Sequence, residues 1–117
     1  MSKLKVTTIA NVADSESTDV TNVINGSAKA WVNFNGTGTV AIRGSFNVSS
    51  ITDNGTGNYT VNFTNALPDT NFVAVATVAS WATQAGPSTT SSAFAQPFNT
   101  TTGASIDQGS VQVAIFR

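Results

Sequence analysis

Apolar and polar residues alternate along most of this chain with the two-residue period of a strand. In Ala30-Trp31-Val32-Asn33-Phe34, the side chains of Ala30, Val32 and Phe34 point one way. Val40, Ile42, Phe46 and Val48 are expected on a second common face, with Gly44 allowing a bulge or a close backbone approach. Tyr59, Val61 and Phe63 alternate with Thr60 and Asn62. Asn35-Gly36-Thr37-Gly38 and Asp53-Asn54-Gly55-Thr56-Gly57 separate these runs with strong turn chemistry. The three strands read as a meander. Residues 71–81 form the most apolar run. Phe72, Ala74, Ala76 and Val78 line one face; Val73, Val75, Ala79 and Trp81 line the other. A strand apolar on both faces is expected to be covered on both, and in so small a domain a second subunit is a ready cover.

The remaining segments are more polar. Ala66-Leu67-Pro68-Asp69-Thr70 is a connector, and residues 82–92 form the longest polar loop. Residues 93–98 suit an edge strand, because Pro97 lacks a ladder donor. Residues 99–108 read as another loop, and Val111, Val113 and Ile115 mark a final ordered strand. No helical period is visible. Near the start, residues 3–9 suit one short strand with Leu4 and Val6 on one face. Asp14-Ser15-Glu16-Ser17-Thr18-Asp19 is an acidic cluster that reads as a solvated loop or a docking element for a basic partner. The pattern predicts an all-β chain: a single β-sandwich over 29–117 and an extended arm over 1–28 that orders against a neighbour. Leu4, Val6 and Ile9 are the arm's candidate assembly residues. Trp31, Val73, Val75 and Trp81 are the candidate interface residues.

Composition then removes whole classes of chemistry. The chain has 117 residues with 0 His and 0 Cys. The commonest general base, the thiol nucleophile and the usual transition-metal ligands are therefore missing. Thr, Ser and Asn number 18, 13 and 12, and their hydroxyls and amides are poor acids and bases. Charged residues are only 9 % and net charge is -1. Such a surface disfavours phosphate-led nucleic-acid binding and repels its own copies little. No apolar run is long enough to span a bilayer, and the first ten residues lack a signal-peptide core. The chain is thus expected to be made in a cytoplasm, without membrane insertion. The Asn-x-Ser/Thr triplets at Asn25, Asn35, Asn47, Asn54, Asn58, Asn62 and Asn99 then read as polar strand and turn chemistry.

Candidate catalysts are few. A serine or threonine nucleophile would have only Lys29 as a base within 29–117. Asp53, Asp69 and Asp107 fall in expected loops, where turn chemistry accounts for them better than paired-carboxylate hydrolysis does. Asp53-Asn54-Gly55-Thr56-Gly57-Asn58 lacks the spaced acids of a calcium loop. Gly36-Thr37-Gly38 lacks the lysine and helix of a phosphate loop. No cofactor and no enzymatic activity are expected. Trp31, Trp81 and Tyr59 suit core or subunit contacts better than a sugar platform. Binding is expected instead from polar loops on a rigid sheet, with Gln84, Ser88, Thr89, Thr90 and Asp107 as the candidate recognition residues.

One stretch is more specific. Lys29-Ala30-Trp31-Val32-Asn33-Phe34-Asn35-Gly36-Thr37-Gly38-Thr39-Val40-Ala41-Ile42-Arg43, continuing through Ser45-Phe46-Asn47-Val48-Ser49-Ser50-Ile51-Thr52-Asp53-Asn54-Gly55-Thr56-Gly57 to Tyr59-Thr60-Val61-Asn62-Phe63, resembles a module of bacteriophage virion proteins. These include tail-fibre proteins and small structural proteins of cyanophages and other aquatic phages. Residues 4–9 and 111–117 resemble the module's start and end; residues 82–108 match more loosely. The resemblance implies a β-rich component of the virion surface, made in the host bacterial cytoplasm, homotrimeric, with a variable distal half. Two roles follow. A short tail fibre or tail tip would contact host surface glycan or protein through loops 82–92 and 99–108. A capsid decoration (cement) protein or head spike would lie on the major capsid protein through its arm. A 28-residue arm reaches at most about 100 Å, so a long fibre is outside this chain's reach.

Overall fold

The computed structural model describes residues 2–117. Its architecture is all-β, with antiparallel pairing throughout. Two four-stranded sheets face one another across one core. The first has the order β4-β3-β10-β7, from Ala41–Phe46, Ala28–Asn35, Val111–Phe116 and Val73–Val78. The second has the order β5-β6-β9-β8, from Val48–Asp53, Tyr59–Phe63, Ser92–Phe98 and Ala82–Thr89. Alternation places Ala30, Val32 and Phe34 of β3 and Val111, Val113 and Ile115 of β10 inside, opposite Tyr59, Val61 and Phe63 of β6 and Ala93 and Ala95 of β9. Phe34 meets Tyr59 edge-on at 5.2 Å, and Phe63 meets Phe72 at 5.7 Å. Each such pair adds about 1 kcal/mol beyond the area it buries.

The three early runs do not form a meander. Within these runs β3–β4 and β5–β6 are hairpins in different sheets, and the chain crosses between sheets after Phe46. Asn47 is the reason. Its φ is +54°, a left-handed conformation that asparagine tolerates better than branched residues. Its side-chain Nδ2 donates to the Lys29 and Asn65 carbonyls at 3.1 Å each, and its Oδ1 accepts from Asn65 N–H at 2.8 Å. This staple splits the expected strand. Val48 is buried and Val40 packs against the core, and Ile42 pairs with inward-facing Phe34, whereas Phe46 pairs with Trp31 on the outer side, so Phe46 leaves the expected common face of Val40, Ile42, Phe46 and Val48.

Other expectations change for equally local reasons. Residues 82–92 are not a loop: β8 and β9 form a hairpin with its turn at Thr90-Ser91. Five hydroxyls in Ser88–Ser92 hid a strand whose partner, β9, is largely buried. β9 is an interior strand, not an edge. Its pairing with β6 ends at Ala95, so Pro97 lies beyond the ladder that would need its donor. β7 is an edge strand with one face on the core and Val73 and Val75 exposed on the other.

Two turns require glycine. Gly57 has φ +58°, and a Cβ there would lie 2.5 Å from Ile106 N and 2.7 Å from the Pro97 carbonyl oxygen. At Gly36 a Cβ would lie 2.5 Å from the Tyr59 hydroxyl.

The amino-terminal segment adds no residue to the core. β1 (Thr8–Ala10) and β2 (Ser17–Asp19) form a small hairpin, and the acidic cluster supplies its turn. There Asn11 N–H donates to the Glu16 carbonyl at 3.0 Å, and Asn11 Oδ1 accepts from Ser15 N–H at 3.1 Å. Strand geometry starts at Thr8, so Leu4 and Val6 lie outside it with no strand to pair them. A helix, α1 (Val20–Gly26), follows and corrects the expectation of none. Its β-branched Val20, Thr21, Val23 and Ile24 are poor helix formers, and its seven residues are too short for a periodic signal.

Candidate functional site

The outer face of the β4-β3-β10-β7 sheet is the most distinctive surface. Register aligns Phe46, Trp31, Ala114 and Val75 in one row across all four strands. The next row runs Gly44, Asn33, Gln112 and Thr77. Phe116 pairs with Val73 beside them. Trp31 lies over Gly44, where a Cβ would sit 3.5 Å from the ring. Trp31, Phe46, Val73 and Val75 remain 44 %, 53 %, 58 % and 53 % exposed. Across β7, β10 and β3 the floor between them forms a shallow depression lined by Trp31, Asn33, Val75, Thr77, Gln112 and Ala114. Its polar edge is uncharged. Thr77 Oγ1 donates to Gln112 Oε1 at 3.4 Å, and Asn33 Oδ1 is buried with no hydrogen-bond partner. A contiguous apolar patch rimmed by amides and hydroxyls is what association surfaces look like.

Of the residues singled out from sequence, this face gathers Trp31, Val73 and Val75. Trp81 stands apart. It is 49 % exposed in the β7–β8 connection and adopts φ +69°, an uncommon conformation for an aromatic residue. Phe46, Phe116 and Gln112 also belong to the face, and sequence reasoning missed them. Pairing Phe46 with Trp31 requires the break at Asn47, which the alternation alone does not reveal.

The recognition candidates scatter. Gln84, Ser88 and Thr89 lie on β8, and Thr90 lies in the turn after it. Gln84 lines a second depression with Gln96, Phe98, Gly103 and Ser105. Thr89 Oγ1 accepts from Ser91 N–H at 3.1 Å and lies 2.9 Å from Ser92 Oγ, which holds the turn. Asp107 is not a free loop carboxylate. Its Oδ1 accepts from the Tyr59 hydroxyl at 2.6 Å and from Gly57 N–H at 2.8 Å. The same hydroxyl lies 2.8 Å from the Gly36 carbonyl oxygen. Asp107 thus ties the 54–58 turn and loop 99–108 to the core. Burial, then the neighbouring Asp107 carboxylate, pushes the Tyr59 phenol well above its usual range.

Asp53 and Asp69 also have structural partners. Asp53 Oδ1 accepts from Gly55 N–H at 3.0 Å, which closes the turn. Asp69 forms a two-pronged pair with Arg117, Nε to Oδ1 at 2.7 Å and Nη2 to Oδ2 at 2.6 Å. Arg117 and the Asn71 N–H hold the Asp69 carboxyl down at about 2. Among the described residues, no group of three or more Asp, Glu, His or Cys side chains is placed to hold a metal ion, and no helix is long and apolar enough to cross a membrane.

The amino-terminal segment carries its own uncovered apolar side chains. Leu4, Ile9, Val12 and Ile24 are 89 %, 48 %, 107 % and 57 % exposed, and Val6 and Val23 are also exposed. No known family model, curated protein or solved structure matches this chain.

Proposed function

We propose that this protein is a non-enzymatic structural subunit of a bacteriophage particle, displayed on the virion surface as a homotrimer. In this reading residues 1–28 are an arm that attaches it, and 29–117 is the displayed domain. The observation that carries the reading is the uncovered apolar face bearing Trp31, Phe46, Val73 and Val75. It belongs to a chain with 9 % charged residues and an amino-terminal segment that also leaves its apolar residues in water. Surfaces of that kind suit a subunit that is complete only in an assembly. The resemblance of residues 29–63 to virion modules supplies the particle, and that stretch builds β3 to β6, the frame of both sheets.

Within the particle we favour a short tail-fibre or tail-tip component that takes part in host attachment. Contact with host glycan or protein then falls to the Thr90-Ser91 turn with exposed Ser88 and Thr89, and to exposed residues 100–105. Several weak contacts per trimer would add by avidity. The second reading is a capsid decoration protein or head spike seated on the major capsid protein. Its support is the small, folded amino-terminal segment, a hairpin and a helix rather than a fibre shaft. Immunogold electron microscopy of purified virions decides between them. Label at the tail end supports attachment, and label over the shell supports decoration. Absence of label from virions removes both.

A further inference from the structure

We propose that the outer face of the β4-β3-β10-β7 sheet is the seat of helix α1 from a second copy of this chain. The inference rests on reading the chain as an assembly subunit and names what covers its open face. Val20, Val23 and Ile24 recur at the i, i+3, i+4 spacing that forms one stripe of a helix. None of the seven helix residues is buried. So short a helix is marginal in water without tertiary packing, and its stripe therefore needs a cover.

Its own sheet does not cover it: α1 packs beside β2, and the junction to β3 is extended. One residue, Ser27, separates α1 from β3, and it is extended at φ -84° and ψ 139°. Ser27 N–H donates to the Val23 carbonyl at 3.0 Å, and its Oγ donates to the same oxygen. Lys29 Nζ donates to the Ser27 carbonyl at 3.0 Å and to the Ile24 carbonyl. Folding the helix back onto β3 would break this set. The chain is accordingly elongated, 52 × 31 × 25 Å, with a radius of gyration of 17.0 Å against about 13 Å for a compact chain of this length.

The two surfaces also suit each other electrostatically. Helix α1 carries no charged residue, and neither do the two rows from Phe46 to Val75 and from Gly44 to Thr77. Joining them removes apolar area from water with no charge to desolvate. A helix-to-sheet contact joins two different patches, so successive copies close into a ring when the rotation between them permits it. A ring of three satisfies the trimer of the proposed function.

The native chain has no cysteine, which makes disulfide trapping clean. Full-length Ile24→Cys and Val75→Cys proteins, one carrying a size tag, would be mixed and equilibrated in a thiol redox buffer. The expected product is a heterodisulfide, about tenfold or more over that from Ile24→Cys mixed with Ser88→Cys. Ile24→Asp and Val75→Asp change exposed side chains, so each should stay folded by circular dichroism and fall to a single-chain mass by light scattering. An internal disulfide at single-chain mass in the Ile24→Cys/Val75→Cys double variant would overturn the proposal, since the helix would then cover its own sheet. So would a single-chain mass for the unmodified protein, or oligomers retained by both Asp variants. Absence of the protein from virions would remove the particle assignment and leave the trapping result standing.

Discussion

Asn47 holds the point where the chain leaves one sheet for the other, and replacing it separates two contributions. Asn47→Gly removes three hydrogen bonds, to the Lys29 and Asn65 carbonyls and from Asn65 N–H. At about 0.5–1 kcal/mol each in so partly exposed a site, the loss is about 2 kcal/mol. Asn47→Ala removes the same bonds and also forces a Cβ-bearing residue without a polar handle to hold φ +54°. That adds about 1 kcal/mol. The expected order of stability is native, then glycine, then alanine. Against a total of roughly 6–18 kcal/mol for a chain this long, the losses are readily measured. Thermal unfolding by circular dichroism at one fixed protein concentration should show drops of about 8 °C and 12 °C. Asn47→Asp keeps an acceptor for Asn65 N–H but aims carboxylate oxygens at two carbonyls, so it should be no better than alanine. A glycine variant that melts with the native protein would refute the staple. Equal melting of glycine and alanine would refute the backbone contribution.

Gly57→Ala should cost more than 3 kcal/mol, because the new Cβ meets backbone at 2.5 Å, whereas Gly38→Ala at φ +60° in open space should cost only about 1 kcal/mol; paired urea melts compare them. Asp69 has a carboxyl pKa lowered to about 2, so its link to Arg117 contributes above the unfolded carboxylate pKa of about 4 and is lost as pH falls toward 2. The stability difference between native and Arg117→Gln should accordingly be constant above about pH 4 and shrink toward zero near pH 2, as acid-series melts will show. Tyr59 is the chain's single tyrosine, and its raised pKa means the neutral phenol stabilises the fold below about pH 10 and loses that effect above it. Absorbance at alkaline pH should show phenolate only as the protein unfolds, while Asp107→Asn should weaken the Tyr59 anchor and bring that unfolding to lower pH.

Alternation made the β class and most of the core readable, because Ala30, Val32, Phe34, Tyr59, Val61, Phe63, Val111, Val113 and Ile115 keep strict period two. Strand partners were harder to read. Period two says which side chains share a face within a strand, but nothing local says that β10 lies between β3 and β7. The outer face was half visible through Trp31, Val73 and Val75. Phe46 lies on the opposite side from Val40 and Val48 because the phase shifts twice, at a bulge in the β3–β4 pairing and at left-handed Asn47. Asp107 looked like a recognition residue because a carboxylate in a polar loop carries no mark of the buried tyrosine it meets 48 positions earlier. Helix α1 was hidden by β-branched residues that favour strands when neighbours do not decide otherwise.

The central position of β10 has a consequence for synthesis. β3 and β7 flank it on either side, and β10 is made after every other described strand. Until residues 111–116 emerge, the first sheet is two separated pieces with unsatisfied strand edges, while β5, β6, β8 and β9 already have all their partners. The second sheet can therefore form before β10 is made, and the first must wait for β10. Because β10 also supplies Ala114, Gln112 and Phe116 to the outer face, that face is unfinished until β10 pairs. Strand order alone thereby delays the outer face until both sheets are complete.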